Sequence, residues 1–482
     1  MRFFAWRYKR FHVSILLAWL GLGLLAGIFL GQFVGAISWW LIAPLLVVSV
    51  TALHDRRWYA CGLIVLVGVG FGLLRGSSFM HELQQLDGFV GKEVTLSGTI
   101  SQDPVLKNGS NMWQAQLTNV RVSDRGFSGE VFASIVSDDT LKRGDTVTVF
   151  GKGLAGFGSF RLSMFRAELR HVVRPNDVFL AARDTFSAGV RQVMPEPEAS
   201  LGVGFLVGEK ATLPTDLTEQ MKTVGLTHII VASGYNLTIL VRFARRLLAR
   251  RSRYLALAGS LTLVAGFVLV SGFSPSMNRA AVVTFLTLLA WYYGRKFHPI
   301  KLILYVAALS ALIYPVYVWG NLGWLLSFAA FTGVLVVSPL ATRLFYDKAA
   351  EPGALMRLVI ETLSAEIMTL PIIVAAFGYV PVLALCANVA VAPVIPFAML
   401  FTFIAGIAGL LAPVLAILAA PASIVIAYTV AAVEYLSGPD WSRLPLQLPI
   451  WSFALWYLLL LAACAFVWHR RKVDLLEVSV VE

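Results

Sequence analysis

Residues 201–240, LGVGFLVGEKATLPTDLTEQMKTVGLTHIIVASGYNLTIL, place a polar, glycine-broken segment directly before an apolar helix of membrane length. In hydrocarbon every backbone N–H and C=O has to be satisfied within the protein, so broken helix at membrane depth faces protein or a water-filled cavity. The polar and small residues of this stretch are therefore pore candidates: His228, Ser233, Gly234 and Asn236. The alternative interpretation is helix packing, because small and hydroxyl residues also let membrane helices approach closely.

The composition identifies the broad class. Of 482 residues, 58% are hydrophobic and only 14% are charged, whereas soluble domains carry about 25% charged residues. A membrane-spanning helix needs about 20 apolar residues, and the sequence predicts a polytopic α-helical membrane protein with about twelve such spans. The predicted spans are residues 12–34, 36–53, 58–75, 226–248, 254–272, 277–294, 299–318, 322–342, 356–377, 383–408, 411–436 and 450–468.

Basic residues predict the orientation of these spans. Lys and Arg in short loops stay on the cytoplasmic side, and the N-terminus and alternate loops are basic, most strongly the segment LVRFARRLLARRSR at residues 240–253. We therefore expect a cytoplasmic (inner) membrane protein with both termini in the cytoplasm. This topology places residues 76–225 outside, and there acidic residues slightly outnumber basic ones although the whole chain has a net charge of +12.

Residues 76–175 are predicted to form an inserted extracytoplasmic β-domain. Five runs of alternating or β-rich sequence, from EVTLSGTI at residue 93 to FRLSMFRAELRHV at residue 160, are separated by Asp, Asn, Gly and Ser turns. Five strands are typical of a small OB-like barrel, a fold that binds single-stranded nucleic acid or sugars. A generic β-domain packed on the membrane part remains an alternative.

A possible nucleic-acid surface follows the end of this domain. Grooves that follow a phosphate backbone need a stripe of Lys or Arg, and the candidate external DNA contacts are Arg161, Arg166, Arg170 and Arg174. The same spacing also fits ordinary solvent-facing charge. Residues 176–225 then change to helical periodicity with apolar and charged faces, which predicts amphipathic interfacial helices or a brace along the bundle.

Four stretches resemble the ComEC family of competence proteins. The first runs from GEKATLPTDLTEQMKTVGL to SGYNL, and the second is GFSPSMNRAAVVTFL. The third is NLGWLLSFAAFTGVLVVSPL, and the fourth begins at ETLSAEIMTLPIIV. The matching residues are Gly208, Glu209, Lys210, Gly225, Leu226, His228, Ser233, Gly234, Asn236, Pro275, Arg279, Ala280, Leu326, Ser327, Phe328, Glu361, Pro371, Asn388 and Pro393.

The resemblance covers nearly the whole layout and implies an inner-membrane channel that passes single-stranded DNA inward during natural transformation. Its expected domains are N-terminal transmembrane helices at 1–75, the OB-like domain at 76–175, interfacial helices at 176–225 and a competence-type channel domain at 226–482. The sequence departs from the family at Asn236, where many relatives have His. Many members also carry a metallo-β-lactamase-like domain, but no His-x-His-x-Asp-His cluster occurs here, so we expect a separate nuclease.

Three ionisable or polar residues of the predicted spans acquire candidate roles. Arg279 is expected at the pore mouth, because Arg binds phosphate through two parallel hydrogen bonds; the alternative is an ion pair with Glu366 or Glu434. A charge at the centre of a span is costly and is usually functional, and we expect Glu366 to be paired or protonated. Asn388 precedes Pro393 and Pro396, which predicts a second interrupted helix facing the first.

The sequence predicts transport without catalysis. No phosphate-binding loop of the G-x-x-x-x-G-K-S/T type and no metal-site motif occurs, so we expect no cofactor and no metal. The expected partners are single-stranded DNA, membrane lipid, an external DNA receptor, a separate nuclease, a cytoplasmic ATPase motor and a possible second copy of the chain. The alternatives are a transporter of a small solute or envelope glycan, or a non-transporting membrane scaffold.

Overall fold

The computed structural model describes residues 11–471 and 473, except for 36, 38, 39, 41, 108, 109, 124, 210, 211, 231–233 and 347–351. The protein is mostly helical, at 67%, and contains a small closed barrel of five strands in its N-terminal region. The chain divides into two compact units, Met1–Arg174 with Phe297–Phe328, and Pro175–Lys296 with Ala329–Glu482.

The first unit combines apolar helices with the barrel. Its helices are α1 (Val13–Gly31), α2 (Ile42–Asp55), α3 (Trp58–Gln84) with a 3-10 turn at Gln85–Phe89, α11 (Pro299–Ile313), α12 (Val316–Gly320) and the first part of α13 (Leu322–Thr332). Glycines let α1 and α3 pack backbone to backbone: a Cβ on Gly31 would lie 2.9 Å from the Cα of Gly76. Gly23 faces Val65 at the other end of the same contact, so the two helices run parallel, and α2, which connects them in sequence, packs against α3.

Helices α11 and α12 follow the full length of α1. At one end Lys301 Nζ donates to Ser14 Oγ at 2.9 Å, and at the other Trp319 Nε1 donates to the Ile28 carbonyl at 2.8 Å. The helix breaks between them because Pro315 disfavours helical geometry in the preceding residue, and Tyr314 has φ −133° and ψ 87°. Gly320 therefore ends α12 near the level at which α1 ends.

The barrel confirms the predicted small β-barrel. Its strands are β1 (Glu93–Ile100), β2 (Val105–Lys107), β3 (Met112–Val122), β4 (Arg125–Gly126), β5 (Val131–Val136), β6 (Thr146–Ala155) and β7 (Leu162–Val173). The closed order is β1-β6-β7-β5-β3, with β3 returning to β1. Neighbouring strands are antiparallel except for β5 and β7. Alternate side chains, such as Leu117 and Val149, fill the core and are fully buried, which explains the period-two pattern of the sequence.

The second unit is helical. Its elements are α4 (Val178–Val193), α5 (Glu198–Val207), α6 (Thr215–Thr223), α7 (Thr227–Ile230), α8 (Gly234–Leu248), α9 (Arg253–Ser271), α10 (Pro275–Tyr292), the end of α13, a π-helical segment (Gly333–Val337), α14 (Ser338–Phe345), α15 (Ala354–Phe377), α16 (Ala384–Val391), α17 (Ile395–Leu411), α18 (Ala420–Ser437) and α19 (Ile450–Arg471). Short 3-10 turns lie at Pro413–Ala419 and Asp440–Ser442. A two-stranded ribbon pairs β8 (Tyr379–Pro381) with β9 (Arg443–Pro445).

The core of the second unit forms around α5. Every residue from Ala199 to Val207 is buried, and a Cβ on Gly202 would lie 2.8 Å from both Thr402 Oγ1 and Ile426 Cδ1. Helix α4 crosses α17 at glycines, where a Cβ on Gly189 would come within 2.8 Å of the Gly406 carbonyl oxygen. The segment predicted to be interfacial therefore contributes three helices, α4, α5 and α6, to the second unit, and Leu217 and Met221 of α6 lie in its core.

Among the described residues, seven helices are long and apolar enough to cross a membrane, or eight if a pair bent by 49° counts as one span. They are Val13–Gly31, Tyr59–Phe89, Arg253–Ser271, Leu322–Phe345, Ala354–Phe377, Leu415–Ser437 and Trp451–Arg471, and the bent pair is Ala384–Val391 with Ile395–Leu411. The predicted twelve spans are not confirmed. Two of the missing spans are short apolar helices, Ile42–Ala52 and Pro299–Ile313, and the C-terminal half of α8 is rich in arginine.

Candidate functional site

Gly234 and Arg279 lie together at the beginnings of α8 and α10. The start of α10 is fixed by Ser274, whose hydroxyl accepts from the Met277 N–H, and by Pro275 in the first turn. A Cβ on Gly234 would lie 2.9 Å from the Ala280 Cβ and 3.4 Å from a terminal nitrogen of Arg279. Because glycine has no Cβ, α8 begins directly against the arginine.

An aromatic ring holds the Arg279 guanidinium. Its central carbon lies 4.7 Å from the centre of the Phe331 ring, a distance at which a cation is attracted to the face of the ring. Phe331 lies near the end of α13, just before the π-helical segment begins at Gly333. The arginine therefore lies beside an irregular helix. Single π turns within helices occur frequently at functional sites.

The same irregular helix packs tightly on α15. A Cβ on Gly333 would lie 2.7 Å from the Cα of Ala365, so only glycine permits this backbone contact. Ala365 directly precedes Glu366, and α15 also contains Pro371. The contact therefore joins the π-helical segment that follows Phe331 to the residue before Glu366, the predicted mid-span carboxylate.

Glu366 and Asn388 are brought together, as the structure shows directly. Asn388 Nδ2 lies 3.3 Å from Glu366 Oε1 and 3.1 Å from the Ala384 carbonyl, and Asn388 is buried at 7% exposure. The amide side chain thus donates to a carboxylate that would otherwise be costly at membrane depth. Asn388 lies in α16, just before the bend between α16 and α17.

The start of α8 also contacts this bend. The Tyr235 hydroxyl lies 3.4 Å from the carbonyl oxygen of Ala392, the residue after α16. Arg242 and Glu361 lie within electrostatic range of the same hydroxyl. The beginning of α8 and the bend between α16 and α17 are therefore neighbours.

Two of the predicted pore residues have local structural contacts. Asn236 is fully buried, and its side-chain amide donates to the Phe205 carbonyl at 2.9 Å. Phe205 lies in the last turn of α5, where helix carbonyls lack partners within the helix, so Asn236 stabilises the end of that helix. The ring of His228 is exposed, with Nδ1 3.2 Å from the Gly225 carbonyl oxygen. Ser233 lies outside the described residues.

A buried polar network, which the sequence did not reveal, fixes Glu209. One Glu209 oxygen accepts from Arg191 at 2.8 Å, and the other accepts from the Ser187 hydroxyl at 2.8 Å. The same Arg191 nitrogen lies 2.8 Å from the Thr212 hydroxyl. Glu209 follows Gly208, which ends α5 in the left-handed conformation with φ 75°. The network therefore ties α4 to the chain that leaves α5.

The four arginines of the barrel occupy different environments. Arg161 forms two hydrogen bonds with Asp87, at 2.9 and 2.7 Å, which join β7 to the end of α3. Arg170 lies 2.9 Å from Glu168 and over the Phe150 ring, and Arg174 donates to the Thr140 carbonyl at 3.1 Å. Arg166 is exposed and has φ 54°. Arg166, Arg170 and Arg174 are thus the exposed members of the stripe, and Arg161 is partly buried.

Within the part of the chain that the structure describes, His, Cys, Asp and Glu form no cluster of three or more that could hold a metal ion. The candidate site consists of paired polar side chains beside interrupted helices. The rest of the protein contains several apolar helices of membrane length and a barrel domain. These features define a polytopic membrane protein.

A family model described as Competence protein matches residues 205–471. The match covers more than half of the chain, and the protein belongs to this family, that of the ComEC competence domain. Membership indicates a role in DNA uptake in transformation, and the family domain is associated with a transport channel rather than with catalysis. No curated protein and no solved structure gives a significant match.

Proposed function

We propose that the protein is a channel of the inner membrane that passes single-stranded DNA into the cytoplasm during transformation. The observation that carries the proposal is the convergence of interrupted helices on polar side chains within the family domain. Irregular backbone at membrane depth is tolerated only where it is buried in protein or lines a water-filled cavity. Here the start of α8, the π segment, Pro371 of α15 and the bend at Ala392 are linked by successive contacts.

In this proposal Arg279 binds the passing phosphates. Its guanidinium face lies on Phe331, and a phosphate would be bound through the N–H groups along its edge. An aromatic ring beneath the arginine fixes the direction of that edge without adding a negative charge to the pore. Gly234 leaves room for the arginine at the start of α8.

Glu366 requires a separate explanation, because a carboxylate repels a polyanion. The hydrogen bond from Asn388 at 3.3 Å gives the carboxylate an internal partner and directs one oxygen toward α16. We propose that the Glu366–Asn388 pair holds the bend between α16 and α17 and serves as part of the gate. His228 and Ser233 remain candidates for the outer end of the same pathway.

The remaining components belong to this proposal. Both termini are cytoplasmic, the barrel is outside, and Arg166, Arg170 and Arg174 supply its exposed DNA contacts, with Arg161 in a supporting position. A receptor delivers DNA, a separate nuclease prepares the strand, and a cytoplasmic ATPase pulls it. The channel consists of one chain or of a homo-oligomer.

The test is import of end-labelled double-stranded DNA into cells that express Arg279→Gln, Arg279→Lys or the unchanged protein at equal levels. Arg279→Gln is expected to lower cytosolic label by at least about tenfold, because losing a charged hydrogen bond worth roughly 1.5–3 kcal/mol corresponds to that ratio. Arg279→Lys should retain part of the import, since lysine keeps the charge but not the two-pronged geometry.

Arg253→Gln is the matched control. Arg253 also lies over an aromatic ring, with its central carbon 5.9 Å from the Trp291 centre, but at the start of α9. Import that survives Arg279→Gln as well as it survives Arg253→Gln would refute the proposed role of Arg279. Undiminished cytosolic label in cells without the gene would refute the channel itself and favour a solute transporter.

A further inference from the structure

Four phenylalanines form a cluster on the outside of the barrel. The centre of the Phe132 ring lies 5.2 Å from Phe157, 5.8 Å from Phe160 and 6.0 Å from Phe165. Val131 and Ala133 on either side of Phe132 are fully buried in the barrel core. Because successive residues of a strand point to opposite faces, the phenylalanine cluster lies on the outer face and does not contribute to that core.

The cluster is apolar and accessible. Phe157 and Phe165 are 49% and 51% exposed, and Phe132 and Phe160 are half-buried against them. Exposed groups of large apolar side chains in a soluble surface usually mark an interaction site. The phenylalanine cluster therefore indicates a binding site for an apolar partner.

The helices of the first unit show where the membrane–water interface lies relative to the phenylalanine cluster. A second group of aromatic side chains, the interfacial group, consists of Phe79, Tyr314, Tyr317 and Trp319. Phe79 lies 5.5 Å from Tyr314 and 6.1 Å from Trp319, measured between ring centres. Trp319 bonds to the Ile28 carbonyl, one turn before α1 ends. Tyr and Trp at the ends of spans are typical of the membrane–water interface.

One close approach and one electrostatic interaction place the phenylalanine cluster near the interfacial group. The loop between Phe157 and Phe160 touches the end of α12, where a Cβ on Gly320 would lie 3.7 Å from the Gly158 carbonyl oxygen. Glu130, two residues before Phe132, is within electrostatic range of Tyr314. The cluster thus continues the aromatic level at which the apolar helices end.

A rigid connection holds the barrel in this position. The double hydrogen bond between Arg161 and Asp87 joins the residue after Phe160 to the turn that follows α3. The Ser128 hydroxyl donates to Glu82 at 2.6 Å on the same helix. The barrel is therefore fixed to α3 close to the cluster, and the cluster has a defined height relative to the span.

We propose that the phenylalanine cluster inserts into the headgroup region of the bilayer and anchors the barrel to the membrane surface. Apolar side chains at an interface bury about 5–10 Å into the boundary between headgroups and acyl chains. Single-stranded nucleic acid, which also stacks on aromatic rings, is the competing partner, and continuity with the interfacial group favours lipid.

The test uses the full-length protein in nanodiscs, with its three cysteines replaced by alanine and one reporter cysteine carrying an environment-sensitive dye. Ser159→Cys places the dye between Phe157 and Phe160 without removing a ring. Lys107→Cys is the control, because Lys107 pairs with Met112, and Met112 pairs with Val136 at the far end of β5 from Phe132. Lipids with a nitroxide near the headgroup are the quencher, and oligothymidylate is the competing ligand.

We expect dye at position 159 to be quenched by nitroxide lipid at least about twice as strongly as dye at position 107, because interfacial groups bury roughly 5–10 Å. Adding Phe157→Ser and Phe165→Ser should reduce quenching at 159 to the control level, with the barrel still resistant to protease. Equal quenching at the two positions overturns the proposal. A dye response to oligothymidylate without lipid quenching also overturns it and identifies a nucleic-acid surface instead. The anchor does not depend on DNA transport, so failure of the channel proposal leaves this result interpretable.

Discussion

Replacing Arg191 with methionine tests whether the buried network around Glu209 organises the beginning of the family domain. Glu209 is 9% exposed, and its carboxylate accepts from Arg191 and Ser187, each at 2.8 Å. Methionine preserves much of the arginine's length but removes the charge and the donors. The carboxylate would then be buried without the Arg191 charge, with the Ser187 hydroxyl still donating to it, and the Thr212 hydroxyl would lose its bond to Arg191.

The geometry indicates the size of the effect. Breaking a fully buried ion pair by removing one partner costs about 3–5 kcal/mol, but the Arg191 side chain is 31% exposed against 12% for Glu209. Solvent reaching the arginine reduces the loss, and we expect about 2–3 kcal/mol, close to the value of a hydrogen bond to a charged group. For a domain of 150–250 residues, this lowers the melting midpoint by roughly 4–12 °C.

The assay compares apparent melting midpoints of Arg191→Met, Glu209→Gln and the double variant in nanodiscs, together with amide exchange at residues 212 and 213. The double variant should be more stable than the sum of the two single losses predicts. It lacks the Glu209 charge as well as the Arg191 charge, so no buried carboxylate is left without its ion-pair partner. The expected coupling is about 1–2 kcal/mol, within the range for residues in direct contact.

Arg170→Met is the matched control, since Arg170 and Glu168 form a pair of similar length, 2.9 Å, with both side chains more than half exposed. Exposed pairs contribute about 0–1 kcal/mol. The reasoning is refuted if Arg191→Met lowers the midpoint no more than Arg170→Met, or if the effects of Arg191→Met and Glu209→Gln simply add.

Two further predictions concern the barrel and the helix crossing of the second unit. Burial raises the pKa of Glu130 above its ordinary value of 4.5. A carboxyl group with a raised pKa stabilises the folded state at pH values below the pKa of the unfolded chain. This stabilisation is lost as the pH rises through the pKa of the folded state. Glu130→Gln should therefore stabilise the barrel relative to the unchanged protein near pH 7 but not near pH 4, measured by amide exchange in β5; an offset that is constant with pH contradicts this. Gly409→Ala should destabilise by about 1–3 kcal/mol through overpacking, because its Cβ would lie 2.8 Å from the carbonyl carbon of Gly189. Gly266→Ala, in open space on α9, is the control, and equal melting midpoints for the two variants would contradict the close contact.

The sequence predicted the features that depend on local pattern. Alternation in β1, β3 and β6 gave the barrel because one face of each strand is buried in a closed core. The predicted spans are not confirmed where the local backbone or charge departs from a long apolar helix. Tyr314 and Pro315 interrupt the span predicted at 299–318, and the arginines of α8 leave only its first half apolar.

The site was less predictable because its contacts join residues far apart in the chain. Glu366 and Asn388 were each expected at a functional position, but their hydrogen bond depends on how α15 and α16 pack. Arg191 and Glu209 are separated by the whole of α5, and no periodicity within α4 selects Arg191 over its other charges. The role of Phe331 likewise requires the position of Arg279. Such contacts would require structural or coevolutionary information.

Interrupted helices are concentrated in the second unit, although the first unit also has a break at Tyr314 and Pro315 between α11 and α12. In the first unit, α1 and α3 are uninterrupted and pack through glycines such as Gly31 and Gly76, which suits a rigid support for the barrel. The second unit instead has a π segment, a proline within α15 and a bend after α16, all between residues 333 and 394. An interrupted helix leaves backbone N–H and C=O groups without helical partners, which is unfavourable in hydrocarbon unless those groups meet protein, ions or water. We therefore expect substitutions that restore regular helix in this segment to raise stability while lowering DNA import, the opposite of what a purely supporting region would show.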